Sequence, residues 1–94
     1  MTLEAVREEV RRLDDEIIEL IARRQHLART IARLKYEARI PIQDKDQRAA
    51  VLERAFTRAV ESQIDPMAVR RIFEILIEMN EERQRECSGD GNLP

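Results

Sequence analysis

Tryptophan is missing from this chain, tyrosine occurs once and phenylalanine twice, so aromatics make up only 3% of 94 residues. A core here has to be built from Leu, Ile, Val and Ala, a composition that suits helices and not sheets. The single Cys87 cannot close an intrachain disulfide. No uncharged stretch approaches the roughly 20 residues needed to span a bilayer. The opening segment MTLEAVREEV carries charges where a signal peptide needs an apolar run, so a cytoplasmic location is expected. A basic excess is also missing: the net charge of −2 gives no bulk attraction to nucleic acid or acidic membranes, and any positive site must be local. There is no internal repeat, metal-ligand cluster, glycine-rich phosphate loop or nucleophile–base pair. Neither a metal nor a cofactor is expected.

Glycine and proline are missing before Pro41, and along that stretch the apolar residues keep helical time. The beats are Leu3, Val6, Val10, Leu13, Ile17, Leu20, then Arg24, then Leu27, Ile31, Leu34 and Ala38, spaced alternately by three and four. They predict one helix from about residue 3 to 38, ending before Ile40-Pro41 because the residue preceding proline disfavours the α region. Its length of roughly 54 Å exceeds the roughly 25 to 35 Å diameter of a compact domain of this size. The remaining residues cannot cover its stripe alone, and another copy of the chain is the economical cover.

A second helix is predicted from about Lys45 to Ser62, with Val51, Leu52, Ala55, Phe56, Ala59 and Val60 on its apolar face; Asp44 followed by Gln47 resembles a capping box. A third opens with Asp65 as N-cap and Pro66 at the first helical position. Its stripe runs Val69, Ile72, Phe73, Leu76, Ile77, then Asn80 and Gln84. The fold class is all-α, three helices with a very long first one: one domain over residues 1–87 and a disordered tail at 88–94.

Polar residues on these apolar faces are the candidates for function. Arg24 and Lys35 are eleven positions apart, about 20° around the helix, and stand on one face. Arg7 precedes Arg24 by seventeen positions, roughly 25 Å along the rod, and can join them only from another chain. An unpaired guanidinium in a core costs several kcal/mol, so Arg24 must meet an anion, a carboxylate or water. Each residue also has a plain structural reading. Arg24 can snorkel, pair with Glu16 or Glu19, or set helix register; Arg7 and Lys35 can be solvated, Asn80 and Gln84 can mark the third helix emerging into water, and Asp44 is explained as an N-cap. Together they offer cations and amides without a nucleophile or paired carboxylates, which suits a small anion whose reaction needs confinement and electrostatic support.

At this point LEAVREEVRRLDDEIIELIARRQHLARTIARLK, IPIQD and IFEILIEMNEERQ carry a resemblance over residues 3 to 86. The ordered set Arg7, Leu13-Asp14, Arg24, Lys35, Pro41, Asp44 and Gln84 resembles the all-helical chorismate mutases, of the monofunctional archaeal and bacterial type. The resemblance implies an intertwined homodimer whose two sites each borrow a residue from the partner, and the rearrangement of chorismate to prephenate without cofactor or metal. It implies that Arg24 and a second chain's Arg7 clamp carboxylates and that Lys35 and Gln84 donate to the ether oxygen. Asp44 and Arg48 would face the ring hydroxyl, and Asn80 a carboxylate. Family members show Arg or Asn then Asp after IPI, and further on Arg-Glu; here Gln43 and Gln47-Arg48 stand there, so weaker substrate binding is expected. Isochorismate-pyruvate lyases and aminodeoxychorismate mutases remain alternatives, as does a helical dimerisation or regulatory module without catalysis.

Overall fold

Thr2 begins the first helix by accepting a hydrogen bond from Ala5 N at 3.1 Å, and nothing breaks the chain until Arg39. In the computed structural model, which describes residues 1–88, α1 runs Leu3–Ala38, α2 Lys45–Glu61 and α3 Pro66–Ser88. Asp44 caps α2 through Gln47 N at 3.0 Å, and Asp65 caps α3 through Met67 N and Ala68 N. Of the expected tail, Ser88 closes α3 and the rest lies outside the described residues.

Two helix ends turn without glycine. Arg39 takes φ 57°, and Ile40 N returns to Lys35 O at 2.8 Å; Gln63 takes φ 60°, and Ile64 N returns to Ala59 O at 3.1 Å. Both are Schellman closures with a side chain in the left-handed region, where glycine carries no steric penalty. The first swings the chain back over the end of α1.

α1 and α2 each pack on α3 and make no contact with each other. The face of α1 that meets α3 is not the leucine seam. It is Ala28 and Ala32, almost fully buried, flanked by half-buried Ile21, Arg24, Gln25 and Lys35. Small alanines let two helices approach closely, and that pairing takes precedence over the larger residues one step round the helix. α2 contributes Leu52, Ala55 and Ala59, and α3 contributes Ile77. Phe56, Val60 and Ile72, placed on the apolar faces from sequence, stay exposed.

The seam residues of α1 lie open to solvent within one chain: Leu13 is 55% exposed and Leu27 62%, with Val10, Ile17, Leu20 and Leu34 in the same state. The molecule measures 55 × 26 × 16 Å with a radius of gyration of 16.5 Å, against about 12 Å for a compact chain of this length. A row of large apolar residues along half a 36-residue helix far exceeds the scattered singles normal on a monomer surface. On another face Arg11 chelates Glu4 and Glu8 at 2.9 and 2.6 Å, and the Glu8 hydrogen bond first, then that of Glu4, raises the guanidinium above its ordinary value. Among the described residues no helix is long and apolar enough to cross a membrane.

Arg39→Gly relieves the left-handed strain at the end of α1, partly offset by a more flexible unfolded chain. It should stabilise the protein by about 0.5–1 kcal/mol, read as a higher urea midpoint at unchanged slope.

Candidate active site

Each helix sends one face to a common cavity of about 390 Å³. α1 supplies Arg24, Ile31 and Lys35; the connection and the start of α2 supply Ile42, Asp44, Gln47, Arg48 and Val51; α3 supplies Ile77, Asn80, Glu81 and Gln84. On α3 these four positions share an arc of about 100°, so one packed helix face delivers all of them. Six of the seven residues singled out from sequence therefore meet: Arg24, Lys35, Asp44, Arg48, Asn80 and Gln84. Arg7 does not; it is exposed on α1, roughly 25 Å along the helix from Arg24.

Arg24 forms no ion pair with Glu16, Glu19 or any other described residue. Its guanidinium carbon sits 5.8 Å from the centre of the Phe73 ring, within cation–π range. Its Nη1 is buried without a hydrogen-bond partner, and so is Gln84 Oε1. Gln84 is 5% exposed, so α3 does not emerge into water at this point. A buried donor left unmade costs about 1–3 kcal/mol, more when it is charged. These two orphaned atoms belong to residues that line the same cavity.

Lys35 is held differently. Its Nζ donates to Ile42 O at 2.6 Å, tying the end of α1 to the IPI segment that the Arg39 turn carries back over it. One of three ammonium donors is used, and two remain. Asn80 is oriented by Gln25, whose Nε2 donates to Asn80 Oδ1 at 3.0 Å, which leaves the Asn80 NH₂ as a donor. The Asp44 carboxylate is committed to capping α2. Arg48 leans towards Glu74 at 3.9 Å, a long, partly solvated pair worth little, and so stays available to the cavity.

Sequence reasoning passed over Gln25 and Glu81, and named Gln47 only as a cap partner and a departure from the family pattern. Glu81 is 9% exposed and sits four residues after Ile77 and three before Gln84. That helical spacing was the available signal, masked by the run of charges around it. Gln43, which stands where a cation was expected, is exposed and is not part of the cavity wall.

Charge excludes the largest of the neighbouring hollows. A larger hollow of about 570 Å³ is lined by Glu78, Glu81, Glu82 and Glu86, and its arginines are already paired, Arg83 with Glu86 and Arg85 with Glu82. It repels anions. A partly apolar cleft of about 510 Å³, edged by Arg54, Arg58 and Ser62, shares Arg24 and Val51 with the site and continues along Ala55, Ala59, Val69 and Phe73; it is also positive, but it lacks the lysine and carboxamide donors of the site. Among the described residues no group of three or more His, Cys, Asp or Glu is placed to hold a metal.

A three-helix scaffold that gathers arginine, lysine and carboxamide side chains around one small hollow defines the architectural class of this protein. Residues 6–85 match the family described as chorismate mutase type II, and the chain belongs to that family. It is 32% identical over 84 residues to the chorismate mutase of Methanocaldococcus jannaschii, an alignment covering 89% of this chain and 85% of that protein. It is also 32% identical over 74 residues to the bifunctional chorismate mutase/prephenate dehydratase of Escherichia coli K12, covering 79% of this chain and 19% of that longer protein. The same figures hold for the Shigella flexneri protein of that description.

Replacing Arg24 by Leu exchanges an orphaned buried N–H, which costs about 1–3 kcal/mol, for a lost ring contact worth about 0.5–2 kcal/mol. Arg24→Leu should therefore unfold in urea within about 1 kcal/mol of the parent, and a much larger loss would mean that Arg24 is a structural ion-pair member after all.

Proposed function

We propose that this chain isomerises chorismate to prephenate in the 390 Å³ cavity, as the product of two interlocked copies. The observation that carries the reading is the buried, unpartnered Arg24 Nη1 in one cavity with the tethered Lys35 and the buried Gln84 amide. Chorismate carries two carboxylates, an enolpyruvyl ether and a ring hydroxyl. In the rearrangement the ether C–O bond breaks while a C–C bond forms between the side chain and the ring, with no proton, electron or water exchanged. The enzyme therefore needs no base and no nucleophile. It has to hold the folded conformer and to meet the negative charge that grows on the departing oxygen.

The residues present fit those two tasks. Arg24 presents a forked donor to a carboxylate, which is the planar recognition that a guanidinium supplies and an ammonium does not. Lys35 and the Gln84 amide donate to the ether oxygen. Because Lys35 is pre-set by Ile42 O, its stabilisation of the transition state costs little reorganisation. Asn80, turned by Gln25, offers its NH₂ to a carboxylate, and Arg48 adds positive charge beside the ring; Asp44 contributes by its backbone, its side chain being the cap.

One carboxylate still lacks a second clamp, and Arg7 is the cation to supply it from a second copy. The exposed seam of α1 needs a cover, and the apolar cleft that adjoins the site at Arg24 is a seat for a helix. Antiparallel pairing of two α1 helices about a two-fold axis brings the N-terminal half of one to the middle of the other, which makes two equivalent sites. A cytoplasmic setting accords with the single cysteine.

Three measurements test this. Incubation with chorismate should remove its diene absorbance and give prephenate; salicylate from isochorismate, with chorismate untouched, would point to a lyase instead. Lys35→Ala should lose at least about 100-fold in kcat/KM while remaining folded, and Arg24→Leu should lose as much, which a non-catalytic dimerisation module would not show. Mixed Arg7→Ala and Lys35→Ala chains, each nearly inactive alone, should regain activity after subunit exchange, since each heterodimer holds one intact site of two. Confirmed heterodimers without recovery would remove the borrowed residue from the mechanism.

A further inference from the structure

Every polar group assigned so far to the site is used as a donor, and its proposed substrate is mostly acceptor. The two carboxylates and the ether oxygen can only accept; the ring hydroxyl alone can donate. Something on the wall has to accept from it or leave it stranded. Asp44 is exposed and gives Oδ1 to its cap, Asn80 Oδ1 accepts from Gln25, and Gln47 is exposed and offers only a neutral amide oxygen. Gln84 is a planar amide, so with its NH₂ turned to the ether its Oε1 faces the opposite way.

That leaves Glu81. It is 9% exposed and lines the cavity, and among the described residues it forms no hydrogen bond or ion pair. It also borders the acidic hollow on the outer side of α3, and the fields on its two sides are opposite. Outward stand Glu78, Glu82 and Glu86, with the neighbouring arginines already paired to two of them. Inward stand Arg24, Lys35 and Arg48. Even with Asp44 on the inner wall, this balance of charge favours an inward carboxylate. Placed there, it would repel either substrate carboxylate, and so it dictates which end of the substrate faces it.

We propose that Glu81 is a specificity-determining residue that accepts a hydrogen bond from the substrate's ring hydroxyl and so sets the orientation of the ring between the α2 and α3 walls. This rests on the site assignment above and adds to it a negative group within a positive pocket. A hydrogen bond to a buried charge is strong, and a carboxylate left facing an analogue without the hydroxyl keeps its desolvation cost unrelieved. Discrimination then comes from both attraction and penalty.

The test is calorimetric titration of the whole protein with two bicyclic dicarboxylate mimics of the rearranging state, one bearing the ring hydroxyl and one lacking it. The parent protein should bind the hydroxylated mimic at least about 10-fold more tightly. Glu81→Leu should erase that preference by weakening the hydroxylated mimic alone, with the deoxy mimic bound as well as before or better. Glu81→Gln, which keeps an acceptor oxygen without the charge, should retain part of it. A preference preserved in Glu81→Leu would overturn this inference alone. Equal tightening of both mimics would also overturn it, showing the carboxylate to be only a repulsive charge. Failure of the parent to bind either mimic would overturn the site assignment, and this inference with it.

Discussion

A guanidinium buried without a carboxylate is the constraint around which this chain is arranged. Arg24 lies in the one stretch of α1 that packs against α3, between the half-buried Ile21 and the buried Ala28, and one of its terminal nitrogens meets nothing. An internal glutamate would remove that cost, and Glu16 and Glu19 are near enough in sequence to serve. Both are instead exposed. The ring of Phe73 compensates only in part, because a π face attracts the cation without satisfying its N–H groups. What remains is a donor set held ready for an anion, and the stability forgone is recovered when an anion binds.

The thinness of the fold follows from the same arrangement. No large side chain is fully buried among the described residues, and the best-buried positions are alanines. Alanines at 28 and 32 bring α1 close to α3, which draws Arg24, Lys35 and Gln84 around one cavity; bulkier residues there would pack more apolar surface but force the walls apart. The larger side chains of α1 are therefore displaced to its other faces, where one chain cannot cover them. A second copy that covers them restores a core and delivers Arg7. Assembly and catalysis would thus depend on two faces of one helix, and a chain unable to pair would lose the stability and the site together.

How much of this could be read from the sequence differs by feature. The limits of α1 were legible because they depend on local chemistry: thirty-six residues without glycine or proline, then a prolyl constraint at Ile40. The convergence of Arg24 with Lys35 was legible from rotation alone. Which face of α1 meets its own chain was not, since the leucine seam has the larger apolar signal and only the pairing with α3 reveals that the alanine face is used first. Glu81 was hidden for a related reason. In NEERQRE, helical period and high charge coincide, and nothing local separates the buried glutamate at 81 from its exposed neighbours at 82 and 86.

The tether between Lys35 and Ile42 joins these levels. Proline at 41 ends the helix, the left-handed Arg39 reverses the chain, and the reversal puts the Ile42 carbonyl within 2.6 Å of an ammonium one turn back from the helix end. A lysine side chain free in solution loses about 2 kcal/mol of rotamer entropy when it is fixed. Here that loss is met during folding, before substrate arrives, so the charge need not be ordered during the chemical step. The positive charge and the amide groups are set by packing in this way. For a reaction with no proton to move, orientation and electrostatic field are what a protein can contribute, and a fold this small is sufficient when three helix faces hold both in place.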